Sequence, residues 1–377
     1  MIPVNLPDLT ARELALVAEC VASGWISSSG PFIERFEESW AAYCGRRYGV
    51  AVSSGTAALQ IAARCLDLSP GDEVIMPSFT IISCPLAVID AGGVPVLVDC
   101  DPETWCLDVE QAGARITPRT RAIMAVDLYG HPADMDALET FASEHGLTIV
   151  EDAAEAHGAE CLGGRHGGNP QWRRCGSFGR VSCFSFYANK LVTTGEGGML
   201  VTDDDGIAGR ARSLRNLCFQ AGRRFYHEEL GFNFRLTGVQ AAIGVGQIER
   251  MDAIVARKRQ IAAEYRRRLA GLESIQWQAE REWARSVFWM NGFVLGGDRG
   301  MDAARCAAEL RARHVETRPF FLGMHEQPAL HAAGLFRGER YPVTEKLSRQ
   351  GLYVPSGLGL SDEQIARVCD AVRDVVP

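Results

Sequence analysis

Short apolar runs alternate with helix-like segments through the first half of the chain. The runs are YGVAVS (48–53), EVIMP (73–77), VPVLVD (94–99), RAIMAVDL (121–128) and LTIVED (147–152). Segments with helical spacing, such as GTAALQIAARCL and TIISCPLAVIDAG, lie between several of them. Strands this uniformly apolar are usually covered on both faces. The pattern therefore predicts an α/β fold with a mainly parallel sheet flanked by helices.

The two ends of the chain predict further helices and a second, smaller lobe. A capping-box pattern, Thr10 to Glu13, precedes a helical segment that stops at Gly24. Residues 237–273 have the spacing of one long helical region. After it, strand-like SVFWMNGFVL (286–295) alternates with helical segments in a smaller α/β lobe.

These patterns divide the chain into two predicted domains. A large domain would cover residues 1–240, the N-terminal helix included, and residues 241–377 would form the long helix and a small C-terminal domain. The glycine- and arginine-rich segment GGRHGGNPQWRRCG (163–176) is predicted to be a surface loop.

Composition narrows the functional classes. A net charge of −8 and a pI near 5.6 argue against a nucleic-acid partner. The basic stretch ARKRQIAAEYRRRLA (256–270) is interpreted as a solvated helix face or a subunit contact. We expect neither a secretory signal nor a membrane span. We also expect no metal site, because the 12 cysteines lack the spacing of zinc ligands. Cysteines scattered in this way are typical of reduced thiols, so we expect a cytoplasmic protein.

Three features lie where open α/β sheets bind ligands, at the carboxyl ends of strands. In SSGTAAL (53–59), a strand leads through a glycine turn into a helix whose N-terminus can bind an anion, and Ser54 and Thr56 add hydroxyl donors. Asp152 directly follows a buried strand and needs a cation or donors, or else serves as a helix cap. Lys190 lies between a strand-like run and a glycine turn, either as a solvated loop lysine or as an amine nucleophile in a pocket.

Together these features predict a site for pyridoxal phosphate. The phosphate would bind at the helix N-terminus, the ring nitrogen at Asp152, and the aldehyde at Lys190 as a Schiff base. Each feature has an alternative explanation by itself, but their order along the chain and their common place at strand ends favour the joint hypothesis.

Four blocks of the sequence resemble the sugar aminotransferases of the DegT/DnrJ/EryC1/StrS family. The blocks are SSGTAAL, EDAAEAHGA (151–159), FSFYANKLVTTGEGGM (184–199) and NFRLTGVQAAIG (233–244). The resemblance runs nearly end to end. It implies the aspartate-aminotransferase-like fold (fold type I of pyridoxal-phosphate enzymes) and a homodimer whose active sites are shared between subunits.

The resemblance also implies roles for particular residues. Lys190 would be the Schiff-base lysine, Asp152 the partner of the ring nitrogen, and Glu155 a neighbour of the ring hydroxyl. The phosphate would be held by Gly55, Thr56 and Ser185, with Asn233 contributed by the other subunit. Family members often stack an aromatic residue on the cofactor at the position of Ile81, and Phe79 is the alternative here.

The implied reaction moves an amino group from an amino acid, expected to be glutamate, to a nucleotide-linked keto-sugar. Pyridoxamine phosphate would be the aminated form of the cofactor between the half-reactions. RRFYHEELGFNFRLT (223–237) and ETRPFF (316–321) are similar to members that aminate C4 of a GDP-linked 4-keto-6-deoxy sugar. From these blocks we expect Tyr226, His227, Arg318 and Phe320 to contact the substrate, with Arg223 and Arg224 as further candidates for its diphosphate.

Several alternatives stay open at this stage. The acceptor could instead be a dTDP- or UDP-linked keto-sugar aminated at C3 or C4. A cofactor-dependent sugar dehydratase of the same superfamily would carry histidine where this chain has Lys190. A non-catalytic regulator would not bind the cofactor, and a nicotinamide enzyme would need a GxGxxG segment that the chain lacks.

Overall fold

The structure is a computed structural model that describes residues 1–220, 222–223, 225–296 and 300–376. The α-helices, in chain order, are α1 (Ala11–Ser23), α2 (Pro31–Cys44), α3 (Gly55–Arg64), α4 (Ser83–Asp90), α5 (Val109–Ala112), α6 (Met135–His145), α7 (Asp205–Leu214), α8 (Gly238–Ile248), α9 (Met251–Arg268), α10 (Ala303–Ala312), α11 (Pro328–Ala332), α12 (Pro342–Gln350) and α13 (Asp362–Val375). Within the part of the chain that the structure describes, every helix is too short or too polar to cross a membrane.

The strands of the described residues form three sheets. In chain order they are β1 (Tyr48–Val52), β2 (Glu73–Pro77), β3 (Val94–Val98), β4 (Thr120–Val126), β5 (Thr148–Asp152), β6 (Glu160–Gly163), β7 (Gln171–Arg174), β8 (Val181–Ser185), β9 (Gly198–Thr202), β10 (Ile275–Trp277), β11 (Ala284–Arg285), β12 (Asn291–Leu295), β13 (Arg318–Pro319) and β14 (Gly351–Val354). The central sheet has seven strands in the order β1-β9-β8-β5-β4-β2-β3. In this sheet β9 runs in the opposite direction to the other six strands, which are parallel to one another, so the predicted mainly parallel sheet is confirmed.

The core of the molecule follows from the apolar strands. Both faces of the central sheet are buried under helices, as the uniformly apolar runs require. A second hydrophobic cluster joins α9, α10 and α13 to the antiparallel sheet β10-β12-β14-β13. This smaller cluster is compatible with a separate C-terminal domain, while the boundary after residue 240 stays a prediction.

Three local predictions differ from the structure. The expected long helix over 237–273 is broken into α8 and α9 at Arg250, whose backbone (φ −124°, ψ 22°) departs from helical values, and α9 ends at Arg268. The Arg250 side chain pairs with Asp8 and with Glu13 of α1. The segment 163–176 is not simply a loop, since its second part is β7, which pairs with β6 in a hairpin. In the run 286–295, only Asn291–Leu295 is a strand, because Phe288 adopts a left-handed backbone conformation with φ of 47°.

Candidate active site

One cavity of about 310 Å³ opens at the carboxyl ends of the central strands. The cofactor residues predicted within a single chain line it together: Ser54, Gly55, Thr56, Asp152, Glu155, Ser185 and Lys190. These residues come from segments far apart in sequence. They meet because β1, β5 and β8 end at the same edge of the sheet.

The N-terminus of α3 forms one wall of the cavity. Ser54 has extended backbone geometry, and its Oγ accepts a hydrogen bond from the Ala57 N–H at 3.1 Å. A Cβ atom at Gly55 would lie 2.7 Å from the Ser185 Cβ, so only glycine allows the helix to approach the end of β8 this closely. The helix dipole and the N–H groups of the first turn favour an anion here. The geometry therefore fits a phosphate group.

Asp152 ends β5 and is a buried residue of the cavity lining. Its Oδ1 accepts a hydrogen bond from the Ala154 N–H at 3.1 Å, and its Oδ2 accepts one from the Cys84 thiol at 3.2 Å. Burial raises the pKa of Asp152, while these two bonds and the charge of Lys190 act against the rise. Residues 153–159 form turns, so the alternative that Asp152 caps a helix does not describe the structure.

Lys190 lies inside the cavity, with its side chain only 11% exposed. Its Nζ is 3.7 Å from the Glu155 Oε1 and 4.0 Å from the centre of the Trp289 ring. Burial lowers the pKa of Lys190, and the charges of Glu155 and Asp152 oppose that effect. A buried amine held in this way gives up a proton more readily than a solvated lysine. The solvated-loop alternative is therefore wrong.

Glu155 is positioned by the backbone next to it in space. Its Oε2 accepts a hydrogen bond from the Tyr129 N–H at 2.8 Å, and Tyr129 itself has a left-handed backbone conformation with φ of 54°. Burial raises the pKa of Glu155 to about 7, against the opposing charge of Lys190. The site thus holds an amine whose pKa is lowered beside a carboxylate whose pKa is raised.

The substrate residues predicted from the resemblance do not reach this cavity within one chain. Tyr226 and His227 are exposed, and the His227 Nδ1 lies 2.7 Å from the Leu217 carbonyl oxygen. Arg318 forms an ion pair with Glu316 at 2.6 Å. Asn233 pairs with the backbone of Asn216. The roles of these residues stay predictions.

Two further arginines were candidates for the substrate diphosphate. Arg223 lies over the Tyr226 ring at 4.2 Å and is outside the cavity lining. Arg224 falls outside the described residues.

Phe320 points into the core, and its neighbour Phe321 lines the cavity instead. The Phe320 ring fits into a slot between two glycines. A Cβ at Gly292 would lie 2.6 Å from it, and a Cβ at Gly351 would lie 2.0 Å away. This slot explains why Phe320 is directed away from the cavity and Phe321 towards it.

Sequence reasoning missed several lining residues and left one question open. Trp289 and Tyr353 line the cavity from the C-terminal part of the chain, where the sequence was interpreted only as alternating strands and helices. Their aromatic character was the available signal. Ile81 also lines the cavity, whereas Phe79 is fully buried against other aromatic rings, so Phe79 is not the cavity-facing alternative.

The chain is similar to known proteins over nearly its whole length. The model of the DegT/DnrJ/EryC1/StrS aminotransferase family matches residues 7–373. GDP-perosamine synthase of Caulobacter vibrioides is 40% identical over 100% of this chain and 98% of its own length. The dTDP-3-amino-3,4,6-trideoxy-alpha-D-glucose transaminase of Streptomyces venezuelae is 39% identical over 97% of this chain and 93% of its own.

A solved structure supports the same relationship. The crystal structure of S. venezuelae DesV in complex with a ketimine intermediate has a TM-score of 0.88 and 39% identity, covering 97% of this chain and 94% of that chain. The predicted aspartate-aminotransferase-like fold is thereby confirmed. By sequence and by fold, the chain belongs to the DegT/DnrJ/EryC1/StrS aminotransferase family.

Proposed function

We propose that this chain is a pyridoxal-phosphate-dependent aminotransferase that transfers the amino group of an amino acid to a nucleotide-linked keto-sugar. The observation that carries the proposal is the cavity in which the buried amine of Lys190 lies beside two buried carboxylates and a helix N-terminus. This set contains the groups that the cofactor needs. A dehydratase with histidine at this position would lack the amine.

The residues of the cavity fit pyridoxal phosphate, the cofactor that membership in this family implies. The phosphate would be held by Ser54, Gly55, Thr56 and Ser185, since Gly55 lets the first turn of α3 lie directly against Ser185 at the end of β8. Asp152 would accept the ring N–H, because a carboxylate that lines the cavity and is fixed by two hydrogen bonds can stabilise a cation there. When bound, the cofactor supplies a reactive carbonyl carbon and a ring that accepts electrons.

Lys190 is the residue placed to move protons. In the first half-reaction its Nζ can take the proton from Cα of the amino donor. In the second half-reaction, the same nitrogen can deliver a proton to the sugar carbon that receives the amino group. A positioned general acid and base of this kind contributes roughly 10²–10⁴-fold to a rate. Glu155, 3.7 Å away, stabilises the ammonium form of Lys190 between these steps. The apolar side of the cavity is covered by three aromatic residues, Trp289, Phe321 and Tyr353. These rings would exclude water from the amine.

We infer that the acceptor is a GDP-linked 4-keto-6-deoxy sugar aminated at C4, with glutamate as the amino donor. Similarity to a GDP-perosamine synthase over the whole chain supports this assignment. The second candidate is a dTDP-linked keto-sugar, because a transaminase named for a dTDP-amino sugar is almost as similar, at 39% identity.

The complete site would be shared between two subunits. Asn233, which does not reach the cavity of its own chain, would contact the phosphate bound by the other subunit. The segment around it exposes large apolar side chains, including Phe225 and Leu230, which are 83% and 84% exposed. A partner subunit would cover such groups.

The test is a panel of nucleotide-linked keto-sugars incubated with the holoenzyme and glutamate, with amino-sugar products measured by mass spectrometry. The panel contains GDP-, dTDP- and UDP-linked 4-keto sugars and the matching 3-keto sugars. We expect product from the GDP-linked 4-keto-6-deoxy sugar, and the Lys190→Ala variant controls for non-enzymatic amination. Product only from a dTDP- or UDP-linked ketone would refute the GDP assignment, and no product from any ketone would refute the aminotransferase function.

A further inference from the structure

Trp289 contacts the amine on which the proposed reaction depends. Trp289 as a residue is 4% exposed, and it lines the cavity. The Lys190 Nζ lies 4.0 Å from the ring centre, which is the distance and position of a cation–π contact. This contact links the C-terminal part of the chain, which contains Trp289, to the loop that carries Lys190.

The indole ring is fixed in this position from several sides. Its Nε1–H donates a hydrogen bond at 2.7 Å to the carbonyl oxygen of Asn189, the residue directly before Lys190. The ring also stacks on Tyr129, with 6.0 Å between ring centres and 22° between planes. The ring therefore has a defined position relative to the Lys190 side chain.

The backbone of Trp289 is anchored as well. Its carbonyl oxygen accepts a hydrogen bond from the buried Lys258 Nζ at 2.5 Å. The same Nζ donates to the Ser356 carbonyl oxygen at 2.6 Å, which ties the Trp289 backbone to the residues after β14. Main-chain anchoring of this kind lets the side chain be substituted without moving the segment.

The electrostatics of the contact depend on the protonation of Lys190. The negative face of an indole ring attracts an ammonium group and gains little from a neutral amine. Glu155 and Asp152 are the charged groups that also face Lys190, and both favour the ammonium form. Trp289 therefore acts in the same direction as the carboxylates, but it carries no charge that must itself be desolvated.

We propose that Trp289 is a positioning residue whose indole face holds the Lys190 ammonium at the cavity wall between proton transfers. This role rests on the proposed aminotransferase function. The proton taken by the Lys190 Nζ stays on that nitrogen until it is delivered, and the ring keeps the ammonium beside Glu155 and away from solvent. An alternative role, filling space only, predicts no dependence of the Lys190 protonation equilibrium on the aromatic face.

The test measures the protonation of Lys190 in the protein without added cofactor. Acetic anhydride labels lysines at a rate that follows the neutral amine, and peptide mass spectrometry over a pH series gives the pKa of Lys190. Trp289→Leu removes the π face and should shift the Lys190 equilibrium about 30-fold towards the neutral amine, that is, to a lower pKa. Trp289→Phe keeps a weaker π face and should shift it about 3-fold.

Trp105→Phe is the matched control. Trp105 is also a buried tryptophan next to Tyr129, but it does not line the cavity, so we expect the Lys190 pKa to be unchanged. If Trp289→Leu does not fold, the Trp289→Phe variant alone carries the test. In steady-state assays we expect Trp289→Phe to lower kcat while the KM for the amino donor stays within about twofold.

The outcomes separate this proposal from the proposed function. An unchanged or raised Lys190 pKa in Trp289→Phe, with the wild-type enzyme active on a keto-sugar, overturns the role of Trp289 and leaves the function standing. Inactivity of the wild-type enzyme on every keto-sugar overturns both. A lowered pKa together with a lowered kcat in an active enzyme supports both.

Discussion

The substitution Asp152→Asn isolates the charge of one buried side chain. In the structure the Asp152 Oδ1 accepts the Ala154 N–H, and the Oδ2 accepts the Cys84 thiol. An asparagine can keep the first bond with its carbonyl oxygen, because Asn supports the same turn as Asp. Its NH₂ group then faces Cys84, whose sulfur can accept a weak hydrogen bond. The local fold is therefore retained while the carboxylate is lost.

The expected effect is on cofactor binding and turnover. A neutral amide cannot accept a proton from the ring nitrogen or stabilise its positive charge. A hydrogen bond to a charged group is worth roughly 1.5–3 kcal/mol, which corresponds to about 10–150-fold weaker cofactor binding. The loss in kcat should be larger, because the positive ring nitrogen is what makes the ring an electron acceptor.

Equilibrium dialysis of the apo protein against pyridoxal phosphate measures the first effect, and the keto-sugar assay measures the second. Thermal unfolding of the apo protein is the control, and we expect its midpoint within a few degrees of wild type because the turn is kept. Unchanged cofactor affinity and unchanged turnover in a folded Asp152→Asn variant would refute the reasoning. Asp152 would then be only a residue that closes a turn after β5.

Mixing Lys190→Ala chains with Asn233→Ala chains should restore activity in proportion to the heterodimer formed, because one of the two sites of the heterodimer has both residues intact. Demonstrated heterodimers without activity would show that the site lies within one chain. Phe320→Leu should lower the free energy of unfolding by about 1–2 kcal/mol with little change in the KM for the sugar, whereas Phe321→Leu should raise that KM. Urea unfolding and steady-state kinetics measure the two effects. The reverse pattern would show that Phe320 contacts the substrate. Burial raises the pKa of Asp127 above its usual range, so the folded state keeps a proton that the unfolded chain has lost. The free energy of unfolding should therefore fall as pH rises above about 4, by up to about 1.4 kcal/mol per pH unit. Asp127→Asn, which cannot ionise, should flatten that fall in urea unfolding, and an equally steep fall in the variant would contradict it.

The fold class and the centre of the site were predictable from sequence because they depend on local features. Uniformly apolar runs specify strands covered on both faces, and alternation with helices specifies a parallel arrangement. Parallel strands end at one edge, so Ser54, Asp152 and Lys190 had to meet once the sheet formed. Their roles were suggested by residue type and order, and the resemblance to a family supplied the chemistry.

The tertiary structure alone decided which other side chains reach the cavity. Phe320 and Phe321 are adjacent and chemically identical, and only the slot beside Gly292 and Gly351 determines which of them faces the site. Trp289 lies about a hundred positions from Lys190 in the sequence, and no local pattern relates the two. Their contact exists because a left-handed turn at Phe288 and distant hydrogen bonds direct the indole ring towards the amine. Such contacts depend on the packing of whole elements against one another, and that packing is a property of the folded chain.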